Sequence, residues 1–161
     1  MDVQQVLAEL GIEKVNSGAY AGGWIETHGS ELKSINPATG EVIATIVRAT
    51  GDDYEKVAAS SVETFERWRM LPAPQRGEYV RQIGNALREK KEALGALVTI
   101  EMGKILPETR GDVQEAIDCG LFAAGEGRRL LGDTTPSELP NKMAFSLRMP
   151  IGVCAVITPW N

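Results

Sequence analysis

The sequence has few of the residues from which metal sites and disulfides are built. It contains only two cysteines, Cys119 and Cys154, and a single histidine, His28. A zinc site needs about four nitrogen or sulfur ligands that cluster in space, and neither cysteine belongs to a CxxC pair. We therefore predict no metal site. Both thiols lie among apolar residues with no histidine nearby to activate them, so we interpret them as inert and buried.

The sequence also lacks an excess of positive charge and any long apolar run. It has 22 acidic and 17 basic residues, a formal net charge of −5, whereas nucleic-acid binders carry a basic stripe or patch. No stretch approaches the roughly 18 apolar residues of a membrane span, and the opening MDVQQVLAEL has no signal-peptide pattern. These absences predict a cytoplasmic protein with no nucleic-acid partner and no membrane partner.

The first part of the chain has the pattern of one short helix followed by a small antiparallel sheet. An apolar helical stripe lies between a possible Asp2 cap and Gly11, and consists of Val3, Val6, Leu7 and Leu10. Three short runs, GWIE, LKSI and VIATIV, are the candidate strands. The NPATGE segment that joins the last two has the Asn, Pro and Gly residues of a tight turn.

The middle of the chain carries the apolar periodicity of several helices. Thr50 and Asp53 have the spacing of a helix-capping pair. Pro74 suits the first turn of the next helix, where its missing N–H is not needed. Gly103 and Pro107 mark the boundary before a further helix that is rich in small residues. This region therefore predicts a helical layer beside the sheet.

The last 30 residues change from helical to strand periodicity. After a polar loop at 132–141, apolar residues alternate with polar ones as far as Val153, and residues 153–157 are then all apolar. A strand that is covered on both faces, as in a parallel α/β sheet, has this second pattern. We therefore predict an α/β fold in which a strand leaves a ribbon and enters the centre of another sheet.

The final four residues, TPWN, are candidate functional residues of the chain. Ligands in open α/β sheets bind beyond the carboxyl ends of the strands, and Asn161 would present a neutral amide donor there. Such a donor suits an oxyanion that develops in a transition state. The alternative is a strand-terminating turn in which Trp160 packs for stability, and the residues alone favour this alternative.

Four segments resemble the amino-terminal part of an NAD(P)-dependent aldehyde dehydrogenase. They are NPATGEVIATI, PAPQRGEYVRQIGNALREKKEALGALVTIEMGK, GDVQEAIDCGLFAAGEGRRLLGD and RMPIGVCAVITPWN, and the resemblance covers nearly everything from about residue 20. EMGK and PIGVCAVITPWN are hallmarks of the superfamily. PAPQRGEYVRQIGNALREK is especially similar to the antiquitin-like (α-aminoadipic semialdehyde) branch, and the semialdehyde dehydrogenases of α-ketoglutarate type are a close alternative.

The resemblance implies a division of the chain. Residues 1–131 would form the amino-terminal helical and β part of the cofactor-binding domain. Residues 132–150 would form a segment of the oligomerisation ribbon, with homo-oligomers assembling through 141–149. Residues 151–161 would form the first buried strand of a Rossmann-like cofactor sheet.

The resemblance also implies a mechanism. A cysteine thiolate attacks the aldehyde, an asparagine amide holds the oxyanion of the thiohemiacetal, hydride passes to NAD or NADP, and a glutamate-activated water releases the carboxylate. Asn161 matches the catalytic asparagine, and the cofactor-binding segment matches Ile157, Thr158, Pro159 and Trp160. The family's catalytic cysteine and glutamate lie beyond Asn161, so we expect this chain to be an inactive amino-terminal fragment. The alternative from another class of function is a non-catalytic oligomerisation or interaction module.

Overall fold

The computed structural model describes residues 2–158 of the chain. A three-stranded sheet, a layer of helices and a short two-stranded ribbon make up its regular structure. The elements, in chain order, are α1 (Val3–Leu10), β1 (Val15–Ser17), β2 (Glu31–Ile35), β3 (Val42–Val47), α2 (Gly51–Trp68), α3 (Ala73–Glu89), α4 (Lys91–Met102), α5 (Leu106–Glu126), β4 (Thr134–Thr135) and β5 (Ala144–Phe145).

The predicted first helix is confirmed together with both of its caps. The Asp2 carboxylate accepts hydrogen bonds from the backbone N–H groups of Gln4 and Gln5. Gly11 ends the helix with φ at +68°, a conformation that glycine adopts without a side-chain penalty. The apolar stripe of α1 packs on α4, where Val6 joins a buried cluster with Ala96 and Ile100.

The sheet is mixed, so the prediction of a purely antiparallel sheet is wrong. β2 and β3 pair in antiparallel fashion around the predicted turn, but β1 pairs with β3 in parallel, with Val15 opposite Thr45. The GWIE run is not a strand: Trp24 forms only an isolated bridge to Tyr20. The reason lies in the preceding glycines, since Gly22 has φ at +80° and turns the chain back too soon for a ladder to form.

Helix α2 begins with the predicted capping pair. The Thr50 hydroxyl accepts a hydrogen bond from the Asp53 N–H, and the Asp53 carboxylate accepts one from the Thr50 N–H at 3.0 Å. Asp53 is 1% exposed and also accepts hydrogen bonds from the His28 N–H and the Lys56 ammonium. The amino end of α2 is therefore attached to the loop that precedes β2.

Helices α3, α4 and α5 form the most closely packed part of the structure. Pro74 lies in the first turn of α3, and Gly103 ends α4 with φ at +73°, as predicted. Gly84 and Gly120 bring α3 and α5 so close that a Cβ on Gly120 would lie 3.4 Å from the Gly84 Cα. Ile117 of α5 is fully buried. Small residues at the crossing allow the backbones to approach, as the sequence predicted.

The predicted ribbon is present only in short form, and the described residues 151–158 do not form the predicted buried strand, so the division of the chain stays a prediction. Only the two-residue strands β4 and β5 pair in the ribbon, and residues 151–158 are irregular and mostly exposed. Cys154 in this segment is exposed, and so is Cys119 on α5, which corrects the interpretation of buried thiols. A central strand needs backbone partners on its edges, and within residues 2–158 no other strand lies beside this segment.

Candidate functional site

The predicted site lies at the carboxyl end of the chain, and the structure places only part of it. Ile157 and Thr158 are in the described residues, where both are exposed and outside regular structure. Pro159, Trp160 and Asn161 lie outside the described residues. The two described members are adjacent in sequence.

The segment that leads to this site runs past the amino-terminal part of the chain. Gly152 and Val153 border a cavity of about 530 Å³ together with the 20–22 loop and the polar and aromatic residues of α2 that include Phe65 and Trp68. The cavity opens widely to solvent on its far side. Within residues 151–158, Gly152 is half-buried and the other residues are exposed.

The surface chemistry of the described residues in this segment is compatible with binding a dinucleotide. Residues 151–158 contain no charged side chain, and Ile157 is 84% exposed. Their backbone N–H and C=O groups make no hydrogen bond to another backbone group in the described part of the chain. An uncharged apolar face with free backbone groups can accept the flat rings and polar edges of a dinucleotide.

Ion pairs link helices α4 and α5. The Lys104 ammonium lies 2.7 Å from a carboxylate oxygen of Asp112 and 3.3 Å from one of Glu108, so it joins the end of α4 to α5. The hydrogen bond that the Lys104 ammonium donates to Asp112 raises the pKa of Lys104. Arg110 contacts Glu92 in a second pair between the same helices. These ion pairs join α4 to α5.

A second concave site lies elsewhere, between α1, α4 and one face of the sheet. Its volume is about 560 Å³, and the walls are mainly apolar, with Leu7, Ile43 and Leu97 among them. Glu101 and the indole of Trp24 also border it. Sequence reasoning missed this cleft because its residues come from several elements that no local pattern connects.

Two further observations concern the described residues as a whole. No helix within residues 2–158 is both long and apolar enough to cross a membrane. In the same residues, no group of three or more His, Cys, Asp or Glu side chains is arranged to hold a metal ion.

The comparisons with known proteins all point to the same family. The family model described as "Aldehyde dehydrogenase family" matches residues 24–161. The chain is 46% identical over 155 residues to aldehyde dehydrogenase family 7 member A1 of Pisum sativum, which covers 96% of this chain and 30% of that protein. It is 43% identical over 155 residues to the α-aminoadipic semialdehyde dehydrogenase of Bos taurus, which covers 96% of this chain and 29% of that protein.

The fold of this chain is also similar to that of a solved aldehyde dehydrogenase. The betaine aldehyde dehydrogenase of Staphylococcus aureus, solved in complex with NAD⁺, is similar with a TM-score of 0.81 and 26% identity. The match covers 92% of this chain and 30% of that one. The chain therefore spans less than a third of the length of the relatives it matches.

Proposed function

The chain belongs to the aldehyde dehydrogenase family, and we propose that it is the amino-terminal part of an enzyme that oxidises an aldehyde or semialdehyde to a carboxylate with NAD or NADP. The observation that carries this proposal is the family match, which runs without interruption from residue 24 to Asn161. Relatives named as family 7 members and as α-aminoadipic semialdehyde dehydrogenases support the antiquitin-like branch. A cytoplasmic location remains part of the proposal, on composition alone.

Within this proposal, the residues of the chain bind and orient rather than react. The Asn161 amide donates a hydrogen bond to the oxyanion that forms when the enzyme's cysteine attacks the aldehyde. Ile157, Thr158, Pro159 and Trp160 line the dinucleotide through backbone groups and apolar contact. The nicotinamide, when bound, accepts the hydride. The uncharged surface of residues 151–158 supports this assignment.

The proposal also includes assembly into a homo-oligomer through residues 141–149. The described ribbon supports it, since Met143, Phe145 and Leu147 expose 62–75% of their surface. Exposed apolar side chains beside a short two-stranded pair are typical of a surface that another chain covers. The same observation supports the second candidate function, a non-catalytic interaction module.

Intact mass and activity of the purified chain separate these candidates. A mass near 17.4 kDa would establish that the purified polypeptide is this chain and no more. A mass about three times larger would indicate the enzyme, because 155 residues amount to 30% of the pea relative. We expect the 161-residue chain alone to reduce no NAD⁺ or NADP⁺ with simple aldehydes, because the resemblance matches the family's catalytic cysteine and glutamate to no position in this sequence. Reduction above a no-enzyme blank would contradict this expectation.

A substitution in the longer enzyme tests the role of Asn161. Asn161→Ala should lower kcat about 10²- to 10³-fold and leave the dissociation constant of NAD⁺ nearly unchanged, as for loss of one oxyanion donor. Asn85→Ala, on helix α3, is the matched control and should retain full activity. Equal activities for the two variants would remove Asn161 from the mechanism, and a large loss of NAD⁺ affinity would assign it to cofactor binding instead.

A further inference from the structure

The cleft between α1, α4 and the sheet is a candidate binding site apart from the proposed dehydrogenase site. Its volume of about 560 Å³ falls within the roughly 300–1,000 Å³ of small-molecule sites. No residue that borders it also borders the cavity beside the terminal segment. The cleft is about half enclosed, and Leu7, Ile43 and Leu97 supply its apolar walls.

The charged groups around the cleft all have one sign. Glu13 and Glu101 border it, and no lysine, arginine or histidine does so in the described chain. The cleft also lies at the carboxyl ends of two helices, because α1 ends at Leu10 and α4 ends at Met102. The carboxyl end of a helix carries a partial negative charge. Two carboxylates and two helix ends therefore give the cleft a negative potential.

Glu101 has capacity for a further donor. One of its carboxylate oxygens accepts a hydrogen bond from the Ser34 hydroxyl at 2.7 Å, and no other described residue donates to the carboxylate. Asn16, by contrast, is engaged, because its amide accepts from the Glu13 N–H and donates to the Glu13 and Thr45 carbonyls. The carboxylates, not the amide, are therefore the polar groups available to a ligand.

Trp24 adds an aromatic face to the border of the cleft. The Trp24 side chain is 75% exposed and is held by an edge contact with the Tyr20 ring, with centroids 5.4 Å apart. An indole face attracts a cation through its negative quadrupole. Apolar walls, negative charge and an exposed indole are together complementary to one class of ligand.

We infer that this cleft binds an organic ammonium ion, a primary ammonium on a linear apolar body. The ammonium group lies against Glu101 and the indole of Trp24, and the apolar body lies along Leu7, Ile43 and Leu97. The inference does not rest on the proposed dehydrogenase activity, since the site shares no residue with the terminal segment.

Titration of the 161-residue chain with hexylammonium chloride at constant ionic strength tests this inference. The readouts are the methyl NMR signals of Leu7 and Leu97 and the indole N–H signal of Trp24, identified with Trp24→Phe. We expect saturable shifts of all three, with affinity rising about fourfold for each methylene from butyl- to hexylammonium. Hexanol and hexanoate, which have the same body without the positive charge, should bind at least several-fold more weakly.

Charge-removing variants locate the ammonium group. Glu101→Gln keeps an oxygen that accepts from Ser34 but loses the charge, so it should weaken hexylammonium binding about three- to fivefold. Trp24→Leu should weaken it about two- to fivefold. Glu55→Gln, an exposed carboxylate on α2, is the matched control and should have no effect. Dispersed methyl signals of Leu7 and Leu97 verify that each variant keeps its core.

Three results would overturn the inference. The first is an absence of saturable shifts with hexylammonium while the methyl signals show a folded core. The second is equal affinity for hexanol and hexylammonium, which would make the cleft an unselective apolar surface. The third is unchanged affinity in Glu101→Gln. Loss of dehydrogenase activity in any form of the enzyme would not bear on these results.

Discussion

The α3–α5 layer and the terminal segment, residues 143–157, are both rich in apolar residues but differ completely in burial. Ile117 in the layer is 0% exposed, whereas Ile151 and Ile157 in the segment are 89% and 84% exposed. The layer is closed by neighbours within the same chain, since α3 and α4 both pack on α5. The segment has backbone pairing at the short strand β5 and at Ser146, whose N–H donates to the Asp133 carbonyl, and residues 151–157 make no hydrogen bond to another described backbone group.

The difference shows that an apolar pattern identifies residues that require a packing partner. The pattern does not by itself establish that those residues are buried. In the layer, the partner helices follow one another within a few residues of chain. In the segment, the continuous apolar run of residues 153–157 has the composition of a strand covered on both faces. The relatives that this chain matches are about three times longer, and within the described residues no other strand lies beside this run.

Replacing one isoleucine in each region gives the sharpest test of the comparison. Ile117→Ala removes a fully buried side chain and should lower the free energy of unfolding by about 2–5 kcal/mol. Ile151→Ala makes the same chemical change at an exposed position and should alter it by less than about 0.5 kcal/mol. Urea denaturation followed by circular dichroism measures both. Similar losses in the two variants would mean that the segment is also packed in solution.

Adding one methyl group to the layer tests how closely it is packed. A Cβ on Gly77 would lie 2.6 Å from the carbonyl oxygen of Ala124, which is backbone and cannot move aside. Gly77→Ala should therefore destabilise the chain by about 1–3 kcal/mol. Gly111→Ala meets nothing within 4 Å and lies inside α5, so it should stabilise by up to about 1 kcal/mol. Equal thermal midpoints for the two variants would contradict the close approach of α3 and α5.

Acid titration probes the junction between the sheet and the helices. Hydrogen bonds from the Thr50 backbone and the Lys56 ammonium hold the pKa of Asp53 well below its usual range. The stabilisation is therefore present above the ordinary aspartate pKa of about 4 and is lost as the pH falls below it. Asp53→Asn should make the urea midpoint decrease less between about pH 5 and pH 2 than it does in the unsubstituted chain.

The neighbouring Asp52 provides the control for this titration. Asp52 is exposed, so Asp52→Asn should leave the pH dependence as it is in the unsubstituted chain. Glu78, whose pKa Arg81 lowers to about 2, titrates in the same range and is retained in all three proteins. An equal flattening in both variants would show that Asp53 has no special contribution.

Local signals in the sequence predicted most of the helices correctly. The caps at Asp2 and Thr50, the first-turn Pro74 and the terminal Gly103 each act within one or two turns of chain, and each is found in the structure. Strand β1 was missed because its parallel partner β3 lies almost 30 residues away. A strand of three residues is too short to show a periodic pattern that would predict such a pairing.

The candidate sites show the same limit. A motif at Asn161 could be identified from its neighbours in sequence, and Asn161 itself lies outside the described residues. The α1–α4 cleft could not be predicted, because Leu7, Trp24 and Glu101 become neighbours only after the sheet and helices have packed. The sequence around Glu101 gave no indication that this residue borders a cavity.

Helix α2 has a consequence for the geometry of the whole structure. Asp53 attaches its first turn to the loop before β2, and Trp68 at its last residue contacts the Tyr79 ring of α3, with centroids 5.6 Å apart. Its 18 residues correspond to a rod of about 27 Å. One inserted residue would turn Trp68 by about 100° away from Tyr79, and four would turn it by about 40° but lengthen the rod by about 6 Å. The length of α2 therefore determines the distance between its attachment at Asp53 and its contact at Trp68, and the rotation of one about the helix axis relative to the other.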